Sequence, residues 1–283
     1  MKNILLPTDF SKNAWNALFT ALKLYSNFEC RFYILNCYDL DMKYSAGAKS
    51  TIRSGMVYKA LKNTSENDLG EVMKYISEHH DNQKHTFETI SYSGDILAGL
   101  RSAIAAYDID TIIMGTKGAT GAKGVFLGSN TVKVLKNIKN CVLITVPKKF
   151  EFKKLKTVVL PTEFVHFYPK RVFEPLLELA DPKETTLKIF HVAQEFRLYE
   201  EQIANKDLLK KRLEGYDYSF HNVTIDSTVA KAIRQFSQEQ GADLIVLTNY
   251  SHSFMEKLTQ EPIVKKMAFK SGTPLMILPD FEG

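Results

Sequence analysis

The stretch DTIIMGTKGATGAKGVFLGSNTVKVLKNI, residues 110–138, joins a short apolar run, a glycine-rich segment and an amphipathic segment. The β-branched run is typical of a buried strand, and the apolar residues Val132, Leu135 and Ile138 recur at helical spacing. Strand, loop and helix in this order form one crossover of an open parallel sheet, in which ligands bind beside the carboxyl ends of the strands. The sequence therefore predicts an α/β fold with a ligand site at this loop.

The loop itself contains five of the fourteen glycines of the chain. Glycine adopts positive φ and lets a ligand approach the backbone, so closely spaced glycines can direct several N–H groups into one concavity. The helix that follows adds unpaired N–H groups and the positive end of its dipole. We expect an anion at this loop, and a phosphate chain fits the arrangement.

Other glycine-rich patterns fit this loop less well. Glycine at every third position resembles collagen, but four repeats without proline cannot form a triple helix. A Walker A loop would place Ser or Thr directly after its lysine, whereas Lys123 is followed by Gly124. A dinucleotide fingerprint would follow the first strand, and this loop follows the fourth. A flexible loop without a ligand remains as the alternative.

Two short motifs occur twice along the chain. ILLPTDF, residues 4–10, returns as VVLPTEF, residues 158–164, and DTIIM, residues 110–114, returns as DLIVL, residues 243–247. Internal repetition of this kind indicates duplicated structural units. We therefore predict two copies of one domain, residues 1–147 and 157–283, joined by a solvated basic linker at 148–156.

Apolar β-branched runs alternate with amphipathic segments in both copies, which is typical of βαβ units and a parallel sheet. These patterns predict two tandem, open, parallel five-stranded sheets with helices on both faces. In the first copy we predict strands at 3–7, 31–37, 86–92, 110–115 and 142–146, and helices at 11–26, 57–80, 95–107 and 128–138. In the second copy we predict strands at 157–161, 187–193, 219–225, 243–248 and 275–278.

The second copy is shorter, and the spacing of the repeats places the missing residues between its second and third strands. The first copy has YSAGAKSTIRSGM, residues 44–56, in that position, which is a polar segment with two glycines. We expect a loop here. It is either a mobile surface insertion or a flap over a site at the carboxyl ends of the strands.

The composition, with 45% hydrophobic and 24% charged residues among 283, is typical of a soluble globular protein. A net charge of +5 spread over both halves gives no reason to expect nucleic acid as a partner. No apolar run approaches the roughly 18 residues of a membrane helix, so we expect no membrane partner, and the first apolar run is too short for a secretory signal. The cysteines, Cys30, Cys37 and Cys141, form no CxxC. We expect a cytoplasmic protein with core thiols.

The spacing of Gly115, Gly118 and Gly128-Ser129 is the pattern G-x2-G-x9-G-[ST], which resembles that of the ATP-binding universal stress proteins. PTDFS at the end of the first strand and DTIIMG before the loop extend the resemblance, which covers nearly the whole chain as a tandem pair. The resemblance implies a Rossmann-like adenine-nucleotide-binding fold with strand order 3-2-1-4-5. It also implies ATP or AMP as the ligand, and such a nucleotide can carry Mg²⁺ with it.

The resemblance implies specific roles for residues of the first copy. Asp9 would contact the nucleoside, and the backbone of Cys37 would hold adenine. The glycines and Ser129 would surround phosphate and ribose, with smaller contributions from Asn130 and from the loop lysines at 117 and 123. The complete set of implied binding residues is Pro7, Thr8, Asp9, Cys37, Gly115, Gly118, Gly128, Ser129 and Asn130.

The residues themselves leave alternatives to these roles. Asp9 can be the N-cap of the helix that begins near Ser11, and Ser129 can cap its own helix. Lys117 and Lys123 can be solvated loop residues with no ligand contact. No residue is assigned a catalytic role, and no metal ligands are predicted.

The second copy departs from the nucleotide-binding pattern. At equivalent positions it has Thr248, Ser251, Glu261 and Pro262. Glu261 would place a negative charge beside a phosphate, Pro262 lacks an N–H donor, and Asp9 is replaced by Glu163. We predict that this copy does not bind ATP in the family manner. His191, Tyr250 and His252 either line a different pocket or serve in packing.

Three functions remain open from the sequence. The first is a nucleotide-binding regulatory protein of the stress-response type with one site per chain, whose last strands, 142–146 and 275–278, pair with each other within the chain. The second is a slow ATPase or other nucleotide hydrolase, which would need a placed base or an oriented water. The third is a scaffold or sensor that binds no nucleotide. A homodimer and an unidentified protein partner also remain open.

Overall fold

The computed structural model describes residues 1–39, 50–116, 128–166, 169–193, 197–224, 229–248 and 272–279. The strands in these ranges are β1 Lys2–Pro7, β2 Cys30–Tyr38, β3 His85–Ser93, β4 Thr111–Gly115, β5 Val142–Val146, β6 Thr157–Thr162, β7 Thr186–Ala193, β8 Asp217–Thr224, β9 Leu244–Thr248 and β10 Leu275–Leu278. The helices are α1 Lys12–Leu24, α2 Ser50–His79, α3 Ile96–Tyr107, α4 Ser129–Asn137, α5 Lys170–Leu179, α6 Glu200–Arg212 and α7 Val229–Glu239. Every predicted strand is confirmed.

The strands form one sheet in the order β3-β2-β1-β4-β5-β10-β9-β6-β7-β8. Each half thus has the expected order 3-2-1-4-5. The expected pairing of the last strands is confirmed, because β5 and β10 pair antiparallel. The two predicted five-stranded units are therefore joined into one ten-stranded sheet and do not form two sheets. The physical reason is that β5 and β10 would otherwise be apolar edge strands with unpaired N–H and C=O groups.

The sheet is covered by helices on both faces, as predicted. Because successive residues of a strand point to opposite faces, Ile4 and Leu6 belong to one core layer and Leu5 to the other. Buried residues of α1, α2, α5 and α6 fill the first layer, and those of α3, α4 and α7 fill the second. Each core layer contains residues of both halves of the chain. The core therefore does not divide the chain into two domains, and the proposed bounds of 1–147 and 157–283 stay a prediction.

Helix α2 accounts for most of the extra length of the first half. It has 30 residues, whereas α6 in the equivalent position has 13. The prediction of a polar loop at 44–56 is wrong for residues 50–56, which form the first turns of this helix. Serine, threonine and glycine suggested a loop, but a continuous helix satisfies its own backbone hydrogen bonds whatever its surface residues. Residues 44–49 lie outside the described part of the chain.

The repeated motif folds in the same way in both halves. Phe10 and Phe164 have φ of 59° and 56°, a left-handed conformation that few non-glycine residues adopt. The N–H of Phe10 donates to Thr8 Oγ1 at 3.0 Å, and the N–H of Phe164 donates to Thr162 Oγ1 at 2.9 Å. A threonine-supported turn therefore ends the first strand of each half and confirms the internal repetition.

The three cysteines are free thiols in or near the core. Cys30 and Cys141 are buried, as predicted, and Cys37 is half-buried. In the segment 148–156 the charged side chains are exposed, while Leu155 is buried and Phe152 packs against the core. No helix in the described ranges is both long enough and apolar enough to span a membrane.

Candidate functional site

A cavity of about 270 Å³ lies at the carboxyl ends of the first four strands. Strand β1 has β2 on one side and β4 on the other, so the strand order reverses direction here. Such a switch point opens a crevice where ligands of α/β proteins bind. The residues that line the cavity and were predicted from the sequence are Pro7, Thr8, Asp9, Cys37, Gly115 and Asn130.

The remaining predicted residues have other positions. Gly128 and Ser129 immediately precede Asn130 in the chain, and Ser129 is the first residue of α4. Gly118, Lys117 and Lys123 lie outside the described residues. The structure thus brings together six of the nine residues at one cavity, while their role as ligand contacts stays a prediction.

The turn between β1 and α1 positions Asp9 at the rim of the cavity. Ser11 is the N-cap of α1, because its hydroxyl accepts the N–H of Ala14 at 3.3 Å. Asp9 Oδ1 instead accepts the N–H of Ser11 at 3.1 Å, so the alternative role of Asp9 as the N-cap of α1 is wrong. On the other side of the turn, Asn36 Nδ2 donates to the carbonyl of Thr8 at 2.8 Å. These bonds fix the backbone that leads into the cavity while Asp9 itself stays exposed.

Gly115 ends β4 directly against α1. A Cβ at this position would overlap the Asn13 side-chain amide and lie 3.0 Å from the Asn13 carbonyl oxygen. Asn13 is only 3% exposed, and its Nδ2 donates to the carbonyl of Val146 at 3.3 Å. The absence of a side chain at Gly115 is therefore required for packing of α1 on the sheet, whether or not a ligand is bound.

The N-terminus of α4 forms another side of the cavity. Gly128 is its N-cap in an extended conformation, and no side chain of the described residues caps the helix. The alternative in which Ser129 caps its own helix is wrong, because Ser129 is already helical. The first backbone bond of the helix runs from the N–H of Val132 to the carbonyl of Gly128 at 3.0 Å. Its earlier N–H groups have no partner within the helix, and they and the helix dipole would attract an anion.

Several lining residues were not predicted from the sequence. They are Ala14, Asp39, Gly94, Asp95, Ile96, Met114, Thr131 and Lys133. Asp39 directly follows β2, and Gly94-Asp95 stands between β3 and α3, so a polar residue after each strand was the available signal. Lys133 lies one turn into α4, where helical spacing from Asn130 would have placed it on the same side.

Asp95 and Cys37 differ in their electrostatic environment. Asp95 is the N-cap of α3, and hydrogen bonds from the N–H groups of Ala98 and Leu97 hold its pKa below the usual value. Burial raises the pKa of the Cys37 thiol to about 12, with a smaller contribution from the charge of Asp95. Asp95 is therefore a carboxylate and Cys37 a neutral thiol near pH 7, so Cys37 offers no thiolate for nucleophilic attack.

In the second half, side chains form hydrogen bonds to the turn that is equivalent to the one at Asp9. His191 Nδ1 donates to the carbonyl of Thr162 at 3.1 Å, just as Asn36 donates to Thr8. On α6, Gln202 Nε2 donates to the carbonyl of Glu163 at 2.7 Å, and Asn205 Nδ2 donates to that of Phe164 at 3.0 Å. His191 is buried and stacks on Phe164 with 5.4 Å between ring centroids, so it serves in packing.

Thr248 ends β9 in the second half. Ser251, Glu261 and Pro262, the other residues compared with the glycine loop of the first half, lie outside the described residues. Tyr250 and His252, which were considered for a different pocket, also lie outside them. The loss of nucleotide binding in this half therefore stays a prediction from the sequence.

Comparison with solved structures shows that the fold recurs over almost the whole chain. Its structure is similar to a universal stress protein from Archaeoglobus fulgidus, with 22% identity, a TM-score of 0.64, and coverage of 98% of this chain and 96% of the other. A functionally unknown protein from Pseudomonas aeruginosa has 12% identity and a TM-score of 0.61, and the match covers 99% and 92% of the two chains. No curated protein matches the sequence.

The family evidence comes from the sequence of the first half. A model of the universal stress protein family matches residues 1–146, which is just over half of the chain. The matched segment contains β1 to β5 and the whole cavity at their carboxyl ends. The chain belongs to the universal stress protein family.

Proposed function

We propose that the first half binds an adenine nucleotide, ATP or AMP, and that the protein acts as a nucleotide-responsive regulator of the stress type. The observation that carries this proposal is the charge polarity of the cavity. Carboxylates of Asp9, Asp39 and Asp95 follow the ends of β1, β2 and β3. The N-terminus of α4, which no side chain of the described residues caps, follows β4 on the other side of β1 from β2 and β3. Lys133 of α4 also lines the cavity and, after the backbone hydrogen bond from Ala98, helps to lower the pKa of Asp95.

A nucleotide has the matching polarity. Its ribose hydroxyls and adenine amino group are hydrogen-bond donors, for which carboxylates are suitable acceptors. Its phosphates are anions, which bind favourably at a helix N-terminus and beside a lysine. The nucleoside would therefore face β2 and β3, and the phosphates would face α4.

The lining between the two charged sides suits a flat base. Pro7, Cys37, Ile96 and Met114 provide an apolar surface against which adenine can pack. The neutral state of the Cys37 thiol keeps this surface uncharged. The cavity volume of about 270 Å³ is just below the usual range of small-molecule pockets, about 300–1,000 Å³. Residues 117–127 of the glycine-rich loop, which lie outside the described part of the chain, do not contribute to this volume.

Mg²⁺ would enter this site together with the phosphates. Within the described ranges, no group of three or more His, Cys, Asp or Glu side chains is arranged to hold a metal ion. Mg²⁺ commonly binds through substrate phosphates with only one or two protein carboxylates. We therefore propose no separate metal site.

Calorimetry with ATP, ADP and AMP tests the proposal. We expect about one site per chain, in the first half. Asp9→Ala should weaken binding about tenfold or more because a charged hydrogen-bond acceptor is lost. Gly128→Glu should abolish it, because a carboxylate would face the phosphates. Glu163→Ala, the matched change in the second half, should leave binding unchanged.

Two outcomes would contradict this function. Absence of binding by all three nucleotides would favour a scaffold or sensor without a nucleotide. Two equal sites per chain would mean that the second half is also competent. In either case the melting temperature provides an independent check, since a ligand bound only by the native state raises it.

A slow nucleotide hydrolase is the second candidate, and one observation favours it. Asp39 and Asp95 add two carboxylates to Asp9 around the cavity, whereas the sequence alone indicated one. Asp95 already accepts two backbone N–H groups, which leaves Asp39 as the better candidate to orient a water. Phosphate release that is lost in Asp39→Asn while binding persists would support hydrolysis. Release that survives Asp9→Ala and Gly128→Glu would indicate a contaminating enzyme.

A further inference from the structure

A larger cavity, of about 470 Å³, lies at the other end of α1 from the proposed nucleotide site. It is enclosed by α1, the last turns of α2 and residues 151–152 of the joining segment. Its principal lining residues are Phe19, Lys23, Tyr75, His79, Glu151 and Phe152. We propose that this cavity binds a small aromatic carboxylate. The inference goes beyond the proposed function and does not depend on it.

Aromatic rings form the walls of the cavity. Tyr75 and His79 are stacked with 4.2 Å between centroids, and Tyr75 meets Trp15 edge to face at 5.0 Å. Phe19 lies 5.8 Å from Tyr75 and 5.7 Å from Trp15. Tyr75 is nevertheless 38% exposed, which is unusual for a ring within an aromatic cluster. A planar ligand would cover these rings and gain the aromatic contacts that the protein leaves incomplete.

The charges of the cavity select the polar group of the ligand. Within the described residues, the ammonium group of Lys23 has no acidic partner. His79 Nδ1 faces the carbonyl of Tyr75 at 2.9 Å, so it carries a proton and leaves Nε2 for a ligand. A carboxylate would pair with Lys23. Glu151, the one acidic lining residue, would repel the same ligand.

The joining segment is held in place as a wall. Asn16 Nδ2 donates to the carbonyls of Pro147 at 2.9 Å and Phe150 at 2.8 Å. These bonds anchor the chain to α1 immediately before Glu151 and Phe152, which complete the cavity. The cavity is therefore formed jointly by the first half of the chain and the segment that leads to the second half.

The test uses the full chain and 2-naphthoate, with naphthalene-2-carboxamide as the uncharged probe of the same shape. Calorimetry measures affinity. The NMR signal of the Trp15 indole N–H reports on the site, because the chain has one tryptophan and its ring contacts Phe19 and Tyr75. We expect saturable binding of one naphthoate, movement of the indole signal, and binding of the amide that is weaker by about two- to fivefold, because the amide loses the attraction of Lys23 and also the repulsion of Glu151.

Variants make the test specific to the proposed charges. Lys23→Gln should weaken naphthoate binding about fivefold, and Glu151→Gln should tighten it by a few fold. Lys74→Gln removes the same charge from an exposed position next to Tyr75 that does not line the cavity, and should have no effect. Tyr75→Ala should weaken both probes about equally, by roughly three- to tenfold.

Clear outcomes would overturn the proposal. These are the absence of saturable binding, equal affinity for naphthoate and the amide, or equal effects of Lys23→Gln and Lys74→Gln. An unshifted indole signal during saturable binding would place the ligand elsewhere and would also overturn it. Because the measurement is made without nucleotide, failure of the nucleotide site leaves its result intact.

Discussion

Replacement of Gly115 by alanine is expected to destabilise the protein even when no ligand is present. The added methyl would overlap the side-chain amide of Asn13, which is buried between α1 and the sheet. Asn13 cannot move without giving up its hydrogen bond to the Val146 carbonyl. The alternative, a shift of α1 away from β4, would disturb the packing of Ala17 and Leu18.

The size of the expected loss of stability can be worked out from these two responses, movement of Asn13 or displacement of α1. Loss of the bond to a buried carbonyl costs about 1–3 kcal/mol, and overpacking of a core costs about 1–3 kcal/mol. Alanine recovers about 0.4–1 kcal/mol because it reduces the entropy of the unfolded chain. We therefore expect Gly115→Ala to lower the free energy of unfolding by about 2 kcal/mol.

Urea unfolding without nucleotide, followed by circular dichroism, measures this effect. The second variant Asn13→Ala removes the obstacle, and it also removes Asn13 Oδ1, a buried atom with no hydrogen-bond partner among the described residues. The double variant should therefore recover about 1–2 kcal/mol relative to additivity. Gly70→Ala is the control: this residue is exposed on α2 with open space around it, and alanine there should stabilise by about 0.5–1 kcal/mol.

A Gly115→Ala protein of unchanged stability would refute the packing argument. If such a protein also lost nucleotide binding, Gly115 would serve the ligand alone. Additive effects of Gly115→Ala and Asn13→Ala would equally contradict the reasoning, because they would show that the two residues do not compete for space.

Three further predictions concern stability. Thr145 Oγ1 is buried in β5 without a hydrogen-bond partner among the described residues. Thr145→Val should therefore raise the urea midpoint by an amount equivalent to about 1 kcal/mol. A lower midpoint would show that the hydroxyl is hydrogen-bonded. Lys2 and Glu178 form a 2.6 Å ion pair between the halves, but both side chains are about a third or more exposed. Lys2→Met should therefore lower the free energy of unfolding by less than about 1 kcal/mol, and by less still in high salt. A larger loss that does not depend on salt would contradict this. Burial lowers the pKa of His80 and His85, whose ring nitrogens are 2.8 Å apart, below the ordinary 6.5. The unfolded chain then binds more protons than the folded one, so stability is complete above about pH 6.5 and decreases as the pH falls below it. The urea midpoint measured at roughly pH 7.5 and pH 5.5 should show this loss, and His85→Leu should reduce it; an equal loss in the variant would assign the effect to other groups.

The sequence predicted most of the fold because its signals are local. Short β-branched runs place all ten strands, and the repeated PTDF and PTEF motifs mark equivalent turns, where Thr8 and Thr162 make the same hydrogen bond. Prediction failed at residues 50–56, where polar residues suggested a loop although they begin α2. It also offered Asp9 as a possible N-cap of α1, whereas the geometry of the turn gives that role to Ser11.

The candidate site was predicted in part from the glycine-rich loop and in part from the resemblance to the universal stress proteins. Pro7, Cys37, Gly115 and Asn130 stand at strand ends or helix starts, where a parallel sheet collects ligand contacts, and the structure places them at one cavity. Asp39 and Lys133 were missed although each carried a signal, because Asp39 directly follows β2 and Lys133 lies three residues after Asn130 on α4. Their contribution depends on where β2 and α4 bring them.

The sequence by itself determined the type, order and repetition of the elements, because hydrophobic period and turn residues act over a few positions. The pairing of the last strands was expected only from the family resemblance, and the tertiary structure decided that the two halves share one sheet. That outcome depends on β5 and β10, two apolar strands 133 positions apart in the repeat, completing each other's backbone hydrogen bonds. It likewise decided why Gly115 is glycine, since the need arises from the approach of Asn13 on another element. Contacts between distant segments cannot be deduced from either segment alone.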